Sequence, residues 1–148
     1  MDFKLIIDPD KDEQVVVTAH RNSPRIDEIK AIAEGKASKE EISGYDSLCN
    51  EYRILKFQDV NLFYVDEGKT FASVEGGRNY IVKTSLRDLE EELPNCFERI
   101  NKSSIANWSK VRAFKVRLTG AVYAVFENGV CEDISRRCFA ELKRRYSI

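Results

Sequence analysis

Short runs rich in Val, Ile, Tyr and Phe, each closed by a turn signal, recur along most of this chain, and that pattern confines it to a strand-built fold. From Tyr45 onward the runs are Tyr52 to Phe57, Val60 to Val65, Thr70 to Val74 and Asn79 to Lys83, punctuated by Asp66-Glu67-Gly68-Lys69 and Gly76-Gly77. They predict a meander. Ser85, with Asp88 three residues on, caps a helix that runs to Pro94 through Leu86, Leu89 and Leu93. Beyond it lie Phe97 to Ile100, Lys110 to Leu118, Ala121 to Glu127 and Val130 to Ile134, with Asn128-Gly129 read as a two-residue hairpin turn. Ser135 opens an amphipathic helix from Arg136 to about Tyr146.

The first 43 residues have a different rhythm. Phe3 to Asp8 and Gln14 to His20 are β-branched runs around the turn residues Pro9-Asp10-Lys11-Asp12. Asn22-Ser23-Pro24 then starts a helix whose Ile26, Ile29, Ile32 and Ala33 recur at helical spacing until Gly35, an isoleucine face suited to covering the hairpin. The polar stretch Lys36 to Glu41 reads as a linker or a short capped turn. The expected fold class is mainly β (α+β): an elongated, antiparallel, strand-rich domain over residues 44–148 with flanking helices, preceded by a small β-β-α unit over residues 1–43.

Charge divides along the same axis. Residues 1–94 carry 13 basic and 20 acidic side chains, a net −7, whereas residues 95–148 carry 11 basic and 5 acidic, a net +6. A polyanion partner is therefore expected at the C-terminal part. Leu5-Ile6-Ile7 and Val15-Val16-Val17 fall far short of the ~20 apolar residues of a membrane span. Without a basic and apolar leader at the N-terminus the expected location is cytoplasmic. Cys49, Cys96, Cys131 and Cys138 are isolated singletons with no zinc-ligand spacing, so reduced thiols and no metal or other cofactor are expected. His20 is the single histidine, no nucleophile motif accompanies it, and no Gly-rich phosphate loop or HExxH spacing occurs, so nothing points to an enzyme.

Four motifs in order then carry a resemblance. They are the helix Ser85-Leu86-Arg87-Asp88-Leu89-Glu90, the segment Phe97-Glu98-Arg99-Ile100-Asn101-Lys102-Ser103-Ser104-Ile105-Ala106-Asn107, the turn Glu127-Asn128-Gly129, and Ile134-Ser135-Arg136-Arg137-Cys138 continuing to Leu142-Lys143. Together they resemble the LytTR DNA-binding domain of bacterial regulators, over about residues 45–148. Where that family usually shows His, Arg and an aromatic residue, this chain has Asn101, Lys102 and Ser104, and Cys138 replaces the aromatic after the Arg pair. Lysine brings three swivelling donors in place of arginine's rigid fork, which alters the expected base preference.

The resemblance implies double-stranded promoter DNA as partner, read by loops from a strand scaffold, with tandem sites that would hold a homodimer. Lys102 takes the position of a base or phosphate contact, with Asn101 and Ser103 beside it. Arg137, at a helix entrance able to hold phosphate, is the candidate for guanine O6 and N7, and Arg136 the phosphate or scaffold partner. Lys69 and Thr70 occupy the place of a third contacting loop. The short N-terminal unit is similar to that of stand-alone regulators, some of which are restrained by a small membrane-bound inhibitor protein. Lone lysines are ordinarily solvated and Arg137 has Asp133 within reach as an ion-pair partner, so burial and pairing decide these assignments. Asn107 is expected to fold a turn, and Trp108, Phe114 and Phe126 to fill the core. The competing expectation is a protein-interaction adaptor or antagonist that uses strand edges and the acidic N-terminal face.

Overall fold

The computed structural model describes residue 10 and residues 16–19, 23–33 and 39–148. The chain divides into two compact units, Met1–Ala37 and Ser38–Ile148. In the first, α1 spans Pro24–Ala33, as the proline-led cap predicts. Ile26 and Ile29 are half-buried, but Ile32, expected on the packed face, is 78% exposed. The expected strand Phe3 to Asp8 and most of that from Gln14 to His20 lie outside the described residues, and residues 16–19 do not enter a strand.

The second unit contains ten strands and two longer helices: β1 Glu41–Asp46, β2 Glu51–Lys56, β3 Val60–Asp66, β4 Lys69–Val74, β5 Asn79–Val82, α2 Leu86–Glu92, β6 Phe97–Asn101, β7 Ser104–Asn107, β8 Val111–Val116, β9 Val122–Phe126, β10 Cys131–Ile134 and α3 Arg136–Tyr146. Seven strands form one sheet in the order β2-β1-β5-β4-β3-β7-β6, and three form a second in the order β10-β9-β8. All pairings are antiparallel. The sequence reading missed β1 and β7. The polar stretch taken as linker leads into β1, where Gly44 is required for packing: a Cβ there would stand 2.7 Å from both Leu55 Cδ1 and Tyr80 Cβ. The segment Ser104 to Asn107 is too short to show an alternating pattern, and all four of its residues are buried.

Strand alternation sends side chains to two cores. On one face of the large sheet Phe63, Ala72, Tyr80 and Ile105 meet Leu86 and Leu89 of α2. On the other, Leu62, Ile100 and Ala106 meet Val122, Ala124 and Phe126 of the small sheet and Cys138 and Leu142 of α3. Each fully buried Leu or Phe contributes about 1.5–3 kcal/mol, and these cores fix the small sheet and α3 against β3, β7 and β6. Phe126 is fully buried, and Trp108 and Phe114 pack at the rim of the second core with ring centroids 5.9 Å apart, so the three aromatics serve packing as expected.

The Asn128-Gly129 turn departs from its expected form. Phe126 and Val130 close the hairpin around three residues, with Gly129 alone at positive φ (+83°). A two-residue type I′ turn needs positive φ at both central positions, and Asn128 is held elsewhere. Its amide donates to Ser73 Oγ and the Val74 carbonyl, both at 3.2 Å, and so ties the small sheet to β4.

Candidate nucleic-acid interface

Hairpin register decides which turns share an end of the sheet. Asp66 pairs with Lys69 across the β3-β4 turn, and Asn101 pairs with Ser104 across the β6-β7 turn. β3 and β7 are themselves neighbours, with Tyr64 opposite Ser104 and the Val65 amide bonded to the Ser103 carbonyl at 2.8 Å. The two turns therefore emerge side by side. The β3-β4 turn is Glu67-Gly68, both at positive φ (47° and 74°), the two-residue form whose twist matches its strands.

Side chains shape the β6-β7 turn. Asn101 Oδ1 accepts from the Ser103 amide at 2.7 Å, an Asx turn that leaves Lys102 at the apex. From β6, Arg99 donates to the Asn101 carbonyl at 3.0 Å and to the Lys102 carbonyl, while its other Nη contacts Glu90 on α2 at 3.3 Å. Both donors of the Asn101 amide are also taken, by Glu132 Oε1 at 2.9 Å and the Asp133 carbonyl at 2.7 Å.

That last pair of bonds joins the turn to the entrance of α3. The Ser135 amide bonds to the Ile100 carbonyl at 2.8 Å, and Ser135 Oγ caps α3 by accepting from the Cys138 amide at 3.2 Å. Arg136 and Arg137 follow at the first two helical positions, where amides lie beyond the intrahelical ladder and the helix dipole is positive. Arg137 does not take Asp133 as its partner; Arg117, on the turn between β8 and β9, stands 3.6 Å from that carboxylate.

Sequence-predicted residues thus meet at one end of the domain. Lys102, Ser103, Arg136, Arg137 and Lys69 are exposed, and Thr70 and Asn101 are half-buried. Among the described residues Lys69, Lys102, Arg136 and Arg137 form no ion pair. Two further cations at this end escaped the sequence reading. Thr70 pairs with Val82, which puts exposed Lys83 beside Lys69, and Arg117 flanks β10. Hairpin register, once known, is the signal that would have found Lys83. Arg99 was part of the quoted motif, but its hold on two turn carbonyls depends on a bulge between Arg99 and Asn101 that periodicity does not reveal.

Glu98 on β6 anchors the other end of α3, accepting from Trp108 Nε1 at 2.6 Å and pairing with Arg145 at 2.9 Å. Burial, with Glu98 and Glu141 near, pushes the Cys138 thiol up to about 11, so it is a packed thiol at neutral pH. All four cysteines are free, with Cys49, Cys96 and Cys131 exposed. Among the described residues no cluster of His, Cys, Asp or Glu is suited to a metal ion, and no helix is long and apolar enough to cross a membrane.

The strand scaffold gathers, on adjoining turns and at a capped helix entrance, cations that form no ion pair among the described residues, the arrangement of a loop-presenting binding domain. The family model of the LytTr DNA-binding domain matches residues 50–147, and the chain belongs to that family. The fold agrees with the LytTr DNA-binding domain of a putative methyl-accepting/DNA response regulator from Bacillus cereus, at a TM-score of 0.65 and 19% identity over 74% of this chain and 99% of that one. Uncharacterized HTH-type transcriptional regulators of Staphylococcus aureus strains COL and NCTC 8325 are 29% identical over 98 residues, 66% of this chain and 66% of theirs. The match therefore spans just under two thirds of the length of these curated relatives.

Proposed function

We propose that this chain is a cytoplasmic transcription regulator, and not an enzyme, that binds duplex DNA sequence-specifically through the turn-bearing end of residues 44–148. The observation that carries the reading is the bond from Asn101 to the Asp133 carbonyl, 2.7 Å, which joins the Lys102 turn to the α3 entrance and so brings Lys102, Arg136 and Arg137 to the same end of the domain. Family membership and the naming of relatives as transcriptional regulators support it.

Affinity comes chiefly from counterion release as Lys69, Lys83, Lys102 and Arg136 approach phosphates, with the free α3 amides adding an anion seat. Specificity falls to side chains that reach base edges. Arg137 offers a fork for guanine, and Lys102 a swivelling donor for an acceptor edge or a phosphate. Ser103 and Thr70 supply shorter hydrogen bonds alongside. Asn101, whose amide is fully engaged within the domain, acts by holding the turn. Residues 1–43 would serve dimerisation on tandem sites or docking of a membrane-bound inhibitor.

The test is binding of the purified full chain to its own promoter duplex and to a scrambled duplex across a salt series. Preference for the promoter, with affinity falling as salt rises, is expected. Arg137→Ala should relax base discrimination by about 1–3 kcal/mol, and Lys69→Ala should weaken both duplexes alike and lower the salt slope by about 1. Equal affinity for both duplexes in the wild-type chain would overturn the reading.

A further inference from the structure

The hairpin between β8 and β9 ends in a tip that packing does not explain. Val116 pairs with Val122, the first residue of β9 and part of the second core, yet Val122 is 6% exposed and Val116 67%. One turn residue further, Leu118 projects entirely into solvent. The turn itself does not need a leucine. It is closed by the Arg117 amide to the Ala121 carbonyl and the Gly120 amide to the Arg117 carbonyl, both 2.8 Å, with Gly120 supplying the positive φ of 83°. A polar residue at 118 would serve the same backbone and avoid exposing an aliphatic side chain to water.

The strand that leads to this apolar tip is basic along its length. From Ser109 to Ala121 the chain carries Lys110, Arg112, Lys115 and Arg117 and no acidic residue. Lys110 is tied to Glu75 and Glu127, at 2.7 and 3.7 Å, but Arg112 and Lys115 are exposed and form no ion pair among the described residues. Arg117 lies over the Tyr123 ring, 5.1 Å from its centroid, and 3.6 Å from Asp133, the residue two places before Ser135. The pairing of Val122 with Ile134 puts the tip at the same end as the α3 entrance.

We infer that the β8-β9 hairpin is a further contact with duplex DNA, in which Leu118 packs into a groove beside the segment faced by Lys102 and Arg137 while Lys115 and Arg117 hold the flanking phosphates. The inference rests on the DNA-binding reading above and adds a contact to it. Duplex DNA suits both halves of the tip. Its phosphates match the run of cations, and its grooves offer sugar edges, thymine methyl groups and base steps against which an aliphatic side chain gains contact area. Asp133 prepositions Arg117. Both side chains are more than half exposed, so the pair is weak and readily exchanged for a phosphate.

The experiment compares wild type, Leu118→Ala, Leu118→Thr and Arg117→Ala, all in the full chain, on the promoter duplex and a scrambled duplex over a salt series, with hydroxyl-radical footprinting of the promoter complex. Leu118 has no buried contact to lose, so the unfolding midpoints of both its variants should match wild type. The expected result is a roughly tenfold loss of promoter affinity for both Leu118 variants, a salt slope lower by about 1 for Arg117→Ala, and a footprint that retracts on one flank in all three. Variants with wild-type affinity, salt slope and footprint would overturn the inference while a promoter-specific wild type leaves the main reading standing. A wild type that binds both duplexes equally defeats the main reading, and the comparison on either duplex still decides whether the hairpin touches DNA. Loss of affinity for a protein partner with DNA binding unchanged would also overturn it.

Discussion

Asn101 on β6 spans the boundary between the two sheets: its amide bonds to Glu132 Oε1 and to the Asp133 carbonyl, while its own carbonyl oxygen folds the next turn through the Ser103 amide. One side chain thereby helps set the position of the Lys102 turn relative to the helix that begins with Arg136 and Arg137. Both partners of the bridge sit on β10, and the Ser135 amide to Ile100 carbonyl bond, 2.8 Å, reinforces it from the backbone.

Asn101→Ala should therefore damage binding more than folding. Three hydrogen bonds from a half-buried amide are lost, at about 0.5–1.5 kcal/mol net for a typical bond, and water reaches the vacated groups and limits the cost. In urea unfolding the midpoint should fall modestly with an unchanged slope. Promoter affinity should fall further than scrambled-duplex affinity if, as proposed, bases are read from the Lys102 turn and the α3 entrance, whose spacing is then held by the Ser135–Ile100 backbone bond without the Asn101 bridge. A variant that loses both affinities equally would show that Asn101 contributes no positioning.

What was legible beforehand follows from the range of the signals. β2 to β5, α2 and α3 announce themselves through alternating or helical patterns closed by Ser85, Pro94 and Ser135, all local features. Lys69, Lys102, Arg136 and Arg137 stand out only through the family resemblance, and the structure leaves all four exposed. β1 and β7 were not legible. Gly44 and Ser43 weaken the strand signal in one, and the other is short with Ser104 and Asn107 at its ends; both are strands because neighbours pair with them. The same limit hid Lys83, Arg99 and Arg117. Each acquires its place from register or from a partner distant in sequence, as Asn128 does in reaching Ser73 across 55 positions.

Asp46 makes acid stability of the β1-β2 hairpin a measurable quantity. Its carboxylate accepts from the Leu48 amide at 2.9 Å and the Cys49 amide at 3.3 Å, and Arg78 stands 3.9 Å away. The Leu48 bond foremost, then those from Cys49 and the Arg78 charge, hold the carboxyl below its ordinary value against the opposing effect of burial. A folded-state value below the unfolded one, about 3.9, means that the stabilisation is present above pH ~4 and is lost as pH falls through the folded value. Asp46→Asn keeps an acceptor oxygen but no titration. Its stability should lie below wild type at pH 7, and the gap should close as both are acidified; a gap that stays constant down to the acid transition would remove Asp46 from the linkage.

Glu67 gives the opposite opportunity, a change that should improve both folding and binding. It sits at φ 47°, a conformation that costs a side-chain-bearing residue about 1–2 kcal/mol and that asparagine tolerates better, next to Gly68 at φ 74°. Its carboxylate also lies on the turn that presents Lys69, where it opposes an approaching phosphate. Glu67→Asn creates the Asn-Gly pair favoured in this turn type and removes one negative charge from the basic end. The unfolding midpoint should rise, and affinity for promoter and scrambled duplex should rise together, since no base contact is added. Because the gain is electrostatic it should shrink as added salt shortens the screening length from about 10 Å at 0.1 M. A lower midpoint would show that Glu67 contributes a contact that offsets its strain, and unchanged affinity at low salt would place the β3-β4 turn away from the duplex.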